Sequence, residues 1–111
     1  VQALHILIML RGKNIENTSG KKLLLDADWD KLFHLSNAIH GDFITRIKND
    51  FPTLTKHDIE ICCLLRFGIE HEVLGSIFLT ETDSVTKAKR RMKKRLNLSA
   101  SDDLDVFLLK Y

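Results

Sequence analysis

Apolar residues three and four positions apart recur along most of this chain, and this spacing limits its fold more than any other feature. Only one proline, Pro52, and five glycines interrupt the 111 residues, so most segments can remain helical. The longest predicted helix spans 27–51, with Asp26 or Asp28 as its N-terminal cap. Pro52 ends it, because the residue before a proline avoids helical geometry. One stripe of this helix is expected to hold Trp29, Leu32, Phe33, Ile39, Phe43, Ile44, Ile47 and Phe51.

A short apolar helix at 1–11, which Gly12 is expected to end, opens the chain. The residues of this helix are apolar on nearly every side, so it should be buried or paired with another chain. The stretch is far shorter than the ~20 residues that span a bilayer, and nothing in it resembles a signal peptide. Because the chain starts with Val1 rather than methionine, we expect a fragment of a longer protein. The polar residues 13–22 are typical of a loop.

Four shorter helices are predicted within residues 54–111. Thr55 caps the first of them, with Asp58 at its third helical position as in a capping box, and Gly68 ends it. The four are expected at 55–67, at 71–79, at 83–96 and after a cap at Ser99 or Ser101. A helix, a glycine, a short helix, a turn and a third helix follow the helix-turn-helix plan. We therefore predict an all-α fold of about six helices, with an N-terminal helical segment at 1–53 and a helix-turn-helix domain at 54–111. Its core should include Leu64, Ile77, Val85, Met92 and Leu96.

The basic residues are concentrated in one predicted helix. The net charge is only +2, but residues 83–97 hold seven of the 17 lysines and arginines and one of the 15 acidic residues. The rest of the chain therefore carries ten basic and fourteen acidic residues, and is net acidic. A solvated helix face usually mixes charges of both signs and gains from their pairing, which this run does not. A polyanion is the expected partner.

The basic helix has two distinct faces when its residues are placed 100° apart. Val85, Ala88, Met92 and Leu96 form a narrow apolar stripe, opposite Lys87, Arg90 and Lys94 with Thr86 on the flank. A helix of this width fits the major groove of B-DNA, where such side chains meet base edges and phosphates. We expect Thr86, Lys87 and Arg90 in the groove, with Lys89, Arg91, Lys93 and Lys94 nearer to phosphates. The predicted DNA-binding set is Ser84, Thr86, Lys87, Lys89, Arg90, Arg91, Lys93 and Lys94.

Five pieces of the segment 54–98 have a joint spacing that is more specific than any one of them. They are Leu54-Thr55-x-x-Asp58-x-Glu60-Ile61, Gly68, Leu74-Gly75-x-x-Phe78, Ser84-Val85 and Lys94-Arg95-Leu96-x-Leu98. Without a gap, this segment resembles the LuxR/FixJ/GerE-type helix-turn-helix. The resemblance covers about two-fifths of the chain. It implies sequence-specific DNA binding by a bacterial transcriptional regulator, with Thr86, Lys87 and Arg90 at the base- and backbone-reading positions.

The chain departs from that family at two positions. Val73 stands where the family usually has a glutamate, and Ala88 stands where it usually has a histidine. These departures leave open the alternative of a protein-interaction or dimerisation module that has lost specific DNA binding. Salt discriminates between the two functions, because DNA affinity falls steeply with salt whereas apolar self-association does not.

The N-terminal segment has a weaker likeness of its own. An Asp-Trp-Asp helix followed by Phe51-Pro52-x-Leu54-Thr55 is similar to the segment before the helix-turn-helix in large bacterial regulators with helical repeats. That likeness implies a cytoplasmic domain, tethered in the parent protein to the inner membrane. It also implies that the helix at 1–11 is the end of a connecting helix. The partners expected from these resemblances are double-stranded DNA, a second copy of the chain and the transcription machinery.

Other functions have little support in the sequence. The adjacent Cys62 and Cys63 lie in an apolar run and are expected to be core thiols in a reducing compartment. His34 and His40 lack a third ligand at metal spacing, and no glycine-rich phosphate motif is present. No nucleophile arrangement is visible either. We therefore expect no enzyme activity, small-molecule substrate, cofactor or metal. A lipid-binding helix would need a larger apolar face than Val85, Ala88 and Met92 provide.

Overall fold

The computed structural model describes residues 2–11 and 24–111, and the regular structure within these ranges is entirely α-helical. This confirms the predicted all-α fold, with one helix more than the six expected. The predicted end at Gly12 and the predicted loop at 13–22 lie outside the described residues. The seven helices are α1 (Gln2–Arg11), α2 (Asp26–Ile39), α3 (Phe43–Asp50), α4 (Lys56–Arg66), α5 (His71–Ile77), α6 (Thr82–Arg95) and α7 (Leu104–Lys110).

The additional helix arises because the predicted helix at 27–51 is broken in two. Gly41 and Asp42 both adopt left-handed conformations, with φ of 62° and 58°, which glycine reaches without cost and aspartate tolerates. The side-chain oxygen of Asn37 on α2 then accepts hydrogen bonds from the backbone N–H groups of Ile44 (2.9 Å) and Thr45 (3.2 Å). This side chain caps α3 from the preceding helix and turns α3 back against α2. The break leaves Ile39 exposed, so its predicted place on the buried stripe is wrong.

The caps of the helices agree with the prediction at only one of three places. Thr55 and Asp58 form the predicted capping box: the Thr55 hydroxyl accepts from the Asp58 N–H (3.1 Å), and the Asp58 carboxylate accepts from the Thr55 N–H (2.9 Å). At α2 the capping residue is Leu25 rather than Asp26 or Asp28. Asp28 contributes instead from the third helical position, where its carboxylate accepts from the Leu25 N–H (2.9 Å).

The last helix is also capped by a different residue from those predicted. The N-cap of α7 is Asp103, not Ser99 or Ser101. One carboxylate oxygen of Asp103 accepts from the Val106 N–H at 3.1 Å. Ser99 and Ser101 lie in the turn before the helix, where their hydroxyls are 3.0 Å apart. A carboxylate two residues further on therefore takes the position that the serines were expected to fill.

A single buried cluster joins both halves of the chain, with α4 at its centre. Helix α4 packs against α2, α3 and α7, and its Ile61, Cys62, Cys63 and Leu64 are almost fully buried. All five residues predicted for the core, Leu64, Ile77, Val85, Met92 and Leu96, are buried. Helix α1 packs against α2 through Leu7 and Leu10. Within residues 2–11 and 24–111, no helix has the length and apolar character needed to cross a membrane.

The close approach of α5 to the turn before α6 depends on Gly75. The carbonyl of Gly75 accepts from the Thr80 N–H at 2.9 Å. A β-carbon at Gly75 would lie 2.8 Å from the carbonyl oxygen of Thr80, which is too close for a non-bonded contact. An alanine at this position therefore does not fit unless the turn moves. Gly75 thus sets how closely α6 can follow α5.

We expect Gly75→Ala to destabilise the protein, although inside a helix alanine is usually about 1 kcal/mol more stable than glycine. The displaced turn should cost about 1–3 kcal/mol, as overpacking does elsewhere. Urea denaturation followed by circular dichroism measures the change. Ser76→Ala, at the next position of the same helix, is the matched control and should change stability little. A Gly75→Ala protein as stable as the wild type would contradict this account of the turn.

Candidate nucleic-acid interface

Helix α6 presents its apolar stripe to the core and its opposite side to solvent. Val85, Ala88 and Met92 are buried, as is Leu96 immediately after the helix. Helix α5 packs against α6 across the short connection 78–81. The orientation of α6 therefore follows from the positions of its apolar residues.

Five side chains form what we call the open face of α6. They are Thr86, Lys87, Arg90, Arg91 and Lys94, all exposed. This is the side on which the helical wheel places Thr86, Lys87 and Arg90 together. Ser84 is also exposed, in the first turn of the helix. The four cations of the open face are therefore accessible to a large anionic partner.

The contacts made by the open face are weak and exposed to water. The Lys87 ammonium lies 3.4 Å from the Asp83 carboxylate, with both side chains more than half exposed, so the pair contributes little to stability. The Thr86 hydroxyl donates to the Thr82 carbonyl (3.2 Å) and lies 3.4 Å from Nε2 of His71. These are contacts that a partner could replace at low cost.

The other two lysines predicted to contact DNA, Lys89 and Lys93, lie beside the open face but are less exposed. They form the edge of α6 that faces residues 99–105, and both are partly buried. The Lys89 ammonium lies 3.2 Å from the Asp105 carboxylate, and the Lys93 ammonium donates to the Ala100 carbonyl at 3.3 Å. We call these two residues the inner edge. In this structure their charges are directed toward the chain itself.

The seventh cation of the basic run has a structural partner. Nη1 of Arg95 lies 2.6 Å from the Asp58 carboxylate, and Asp58 is 3% exposed. This pair joins the end of α6 to the start of α4. By composition alone, Arg95 is only one more member of the basic run. The position of Arg95 one turn beyond Met92 and two beyond Ala88, on the buried side, is the signal that could have identified it.

A cleft of about 620 Å³ lies between α6 and the segment that leads into α7. Its α6 wall contains Thr86, Lys89, Arg90, Lys93 and Lys94, and acidic residues of the 102–105 segment line the other wall. His71, at the start of α5, lies at the cleft. The basic side of α6 thus has one part facing solvent and another part facing carboxylates.

The structure places no reactive thiol at this interface. Burial raises the pKa of Cys62 to about 12, with Asp58 acting in the same direction. Burial likewise raises the pKa of Cys63, so both thiols stay protonated at neutral pH. Within residues 2–11 and 24–111, no three histidine, cysteine, aspartate or glutamate side chains converge to hold a metal ion.

Comparisons with models of protein families, with curated proteins and with solved structures found no match to this chain.

Proposed function

We propose that this chain binds double-stranded DNA through the open face of α6, as the output module of a transcriptional regulator. The observation that carries the proposal is the exposed group of Lys87, Arg90, Arg91 and Lys94 on one side of a helix whose other side is buried. An α-helix fits the major groove, where lysine and arginine contact phosphates and guanine edges and threonine contacts bases. The LuxR-type spacing of residues 54–98 supports the same assignment.

The arrangement of these charges is costly for folding alone. Lys87, Arg90, Arg91 and Lys94 are three and four positions apart, and like charges at these spacings repel one another on a helix. In the described contacts of α6, Asp83 is the acidic partner on this side, and its pair with Lys87 is exposed. A polyanion relieves this repulsion, and the counterions that it releases favour binding.

The proposal extends to two copies of the chain acting in the cytoplasm. Helix-turn-helix proteins commonly bind paired half-sites as two-fold dimers. Such a complex would place two α6 helices in successive major grooves. The surface of the chain that faces away from the DNA would then be open to the transcription machinery. The bases read would be those facing Thr86, Lys87 and Arg90.

The salt dependence of binding tests the proposal. Anisotropy of a labelled random-sequence duplex should show affinity falling from about 50 to 200 mM salt, with a log–log slope between about −3 and −4. This slope follows from about four phosphates neutralised at ~0.9 each. Selection from a randomised duplex pool then tests sequence preference. No binding at low salt, or affinity that does not change with salt, would overturn the proposal.

A second candidate function is self-association without DNA, and exposed apolar residues favour it. Leu4, Ile8 and Met9 of α1 and Val106 and Leu109 of α7 are all at least 44% exposed, although apolar surface is usually buried. Sedimentation at low and high salt separates the two functions. A dimer that persists in high salt and does not bind DNA would support this alternative, because apolar contacts are not weakened by salt.

A further inference from the structure

Both lysines of the inner edge of α6 already contact an oxygen of the chain itself: Lys89 the Asp105 carboxylate, and Lys93 the Ala100 carbonyl. We propose that Asp105 competes with DNA for Lys89, so that the segment 99–105 limits how many cations of α6 reach the phosphate backbone. The proposal rests on the proposed DNA binding and concerns its regulation. Asp105 here takes the place that a backbone phosphate would take against the same ammonium.

The ion pair between Lys89 and Asp105 differs from the other lysine pair on α6. Both have ordinary distances: 3.2 Å for Lys89 with Asp105, and 3.4 Å for Lys87 with Asp83. The Lys89 side chain is only 14% exposed, however, whereas that of Lys87 is 61% exposed. Burial reduces screening by water and salt. Lys89 is therefore held more firmly by its carboxylate than Lys87 is.

The segment that carries Asp105 is itself fixed in place. The Asp102 carboxylate accepts from the Ser99 N–H at 2.8 Å, and the Asp103 carboxylate accepts from the Val106 N–H at 3.1 Å. Leu104 and Leu108 anchor α7 in the core. On the facing side, the Lys93 ammonium donates to the Ala100 carbonyl. Asp105 is thus held beside α6 by contacts that do not depend on Lys89.

To bind the Lys89 ammonium, a phosphate of the DNA must displace the Asp105 carboxylate. The adjoining cleft of about 620 Å³ also has Arg90 and Lys94 on its α6 wall, so an approaching phosphate would meet further cations beside Lys89. While the pair is closed, DNA is bound by the open face alone. When the pair is broken, one more phosphate contact becomes available, which raises affinity and makes it more sensitive to salt.

Asp105→Asn tests this directly, because it keeps the shape of the side chain and removes its charge. We expect affinity for random duplex DNA to rise about two- to fivefold and the salt slope to steepen by ~0.9. Asp30→Asn, an equal change of charge at an exposed position of α2, is the matched control and should have a smaller effect. Thermal unfolding of both variants verifies that the fold is retained.

Replacing Lys89 separates masking from ordinary DNA contact. Lys89→Gln should weaken binding less than Lys94→Gln on the open face does, because it removes no phosphate contact and acts only through the charge of the released Asp105 carboxylate. In the Asp105→Asn background, Lys89→Gln should abolish the gain in affinity. If Lys89→Gln weakens the otherwise unchanged protein as much as Lys94→Gln does, Lys89 is already a DNA contact and the proposal is wrong.

A measurement without DNA tests the masking separately. Lysine acylation followed by mass spectrometry should modify Lys89 more slowly than Lys94 in the wild type, and the difference in rate should narrow in Asp105→Asn. Equal rates in the wild type would overturn the masking. If the wild type binds no DNA, the proposed function and this regulation fail together. If it binds DNA but Asp105→Asn behaves like Asp30→Asn, only the regulation fails.

Discussion

Replacing both Lys87 and Arg90 with glutamate is expected to abolish DNA binding while leaving the fold intact. Both side chains are exposed, and the pair of Lys87 with Asp83 contributes little to stability. Each lost contact should cost about 1–3 kcal/mol, so affinity should fall by at least roughly thirtyfold. Repulsion between each new carboxylate and the phosphates increases the loss. Anisotropy measures the affinity, and circular dichroism measures the helicity.

The control for this variant is an equal charge reversal elsewhere. Lys48→Glu together with Lys110→Glu changes the net charge by the same amount at exposed positions of α3 and α7. General electrostatic attraction to a polyanion would make the two double variants equally weak. A selective loss at Lys87 and Arg90 would identify the open face of α6 as the contact surface. Equal binding by both double variants would contradict that assignment.

Asp58→Ala should produce the largest loss of stability among the substitutions considered. The Asp58 carboxylate is buried and accepts hydrogen bonds from the Thr55 N–H and from Arg95. Its removal breaks half of the capping box, by leaving the Thr55 N–H without its acceptor, and leaves a partly buried guanidinium without its partner. Breaking a buried pair typically costs 3–5 kcal/mol, and we expect about 3 kcal/mol because Arg95 retains some access to water. For a domain of this size, that corresponds to a fall in Tm of roughly 12–24 °C.

Asp103→Ala is the matched comparison, because Asp103 caps α7 through one hydrogen bond to the Val106 N–H. Loss of a cap alone typically costs about 1 kcal/mol. The difference between the two variants, measured by urea denaturation, therefore reports the contribution of Arg95 and of burial. If Asp58→Ala is no more destabilising than Asp103→Ala, the Asp58–Arg95 pair does not hold α6 against α4 as described.

Local patterns in the sequence were sufficient to predict most of the helices that carry the interface. The capping box at Thr55 and Asp58 and the apolar stripe of α6 depend on residues three or four positions apart. Such short-range relations are the same in any helix. The core positions Leu64, Ile77, Val85, Met92 and Leu96 were predictable for that reason, as was the exposed position of Lys87 and Arg90. Whether these exposed cations bind DNA remains a proposal.

The break between α2 and α3 could not be predicted from spacing. The apolar pattern continues through residues 39–44, so periodicity alone favours one long helix. The break depends on the left-handed Gly41 and Asp42 and on Asn37, which reaches the amides of Ile44 and Thr45. The sequence contains Gly41, but an isolated glycine within a helical pattern does not show whether the chain will turn.

Short-range patterns in the sequence are enough to predict that the chain is helical, which side of α6 faces the core and where the positive charge is concentrated. Which of those charges remain accessible depends on how the helices pack. Arg95 pairs with a residue 37 positions away and Lys89 with one 16 positions away, while Lys87 and Arg90 stay exposed. Helix geometry fixes the direction of a side chain within one turn. The partner that a long flexible cation meets is instead set by the packing of distant helices.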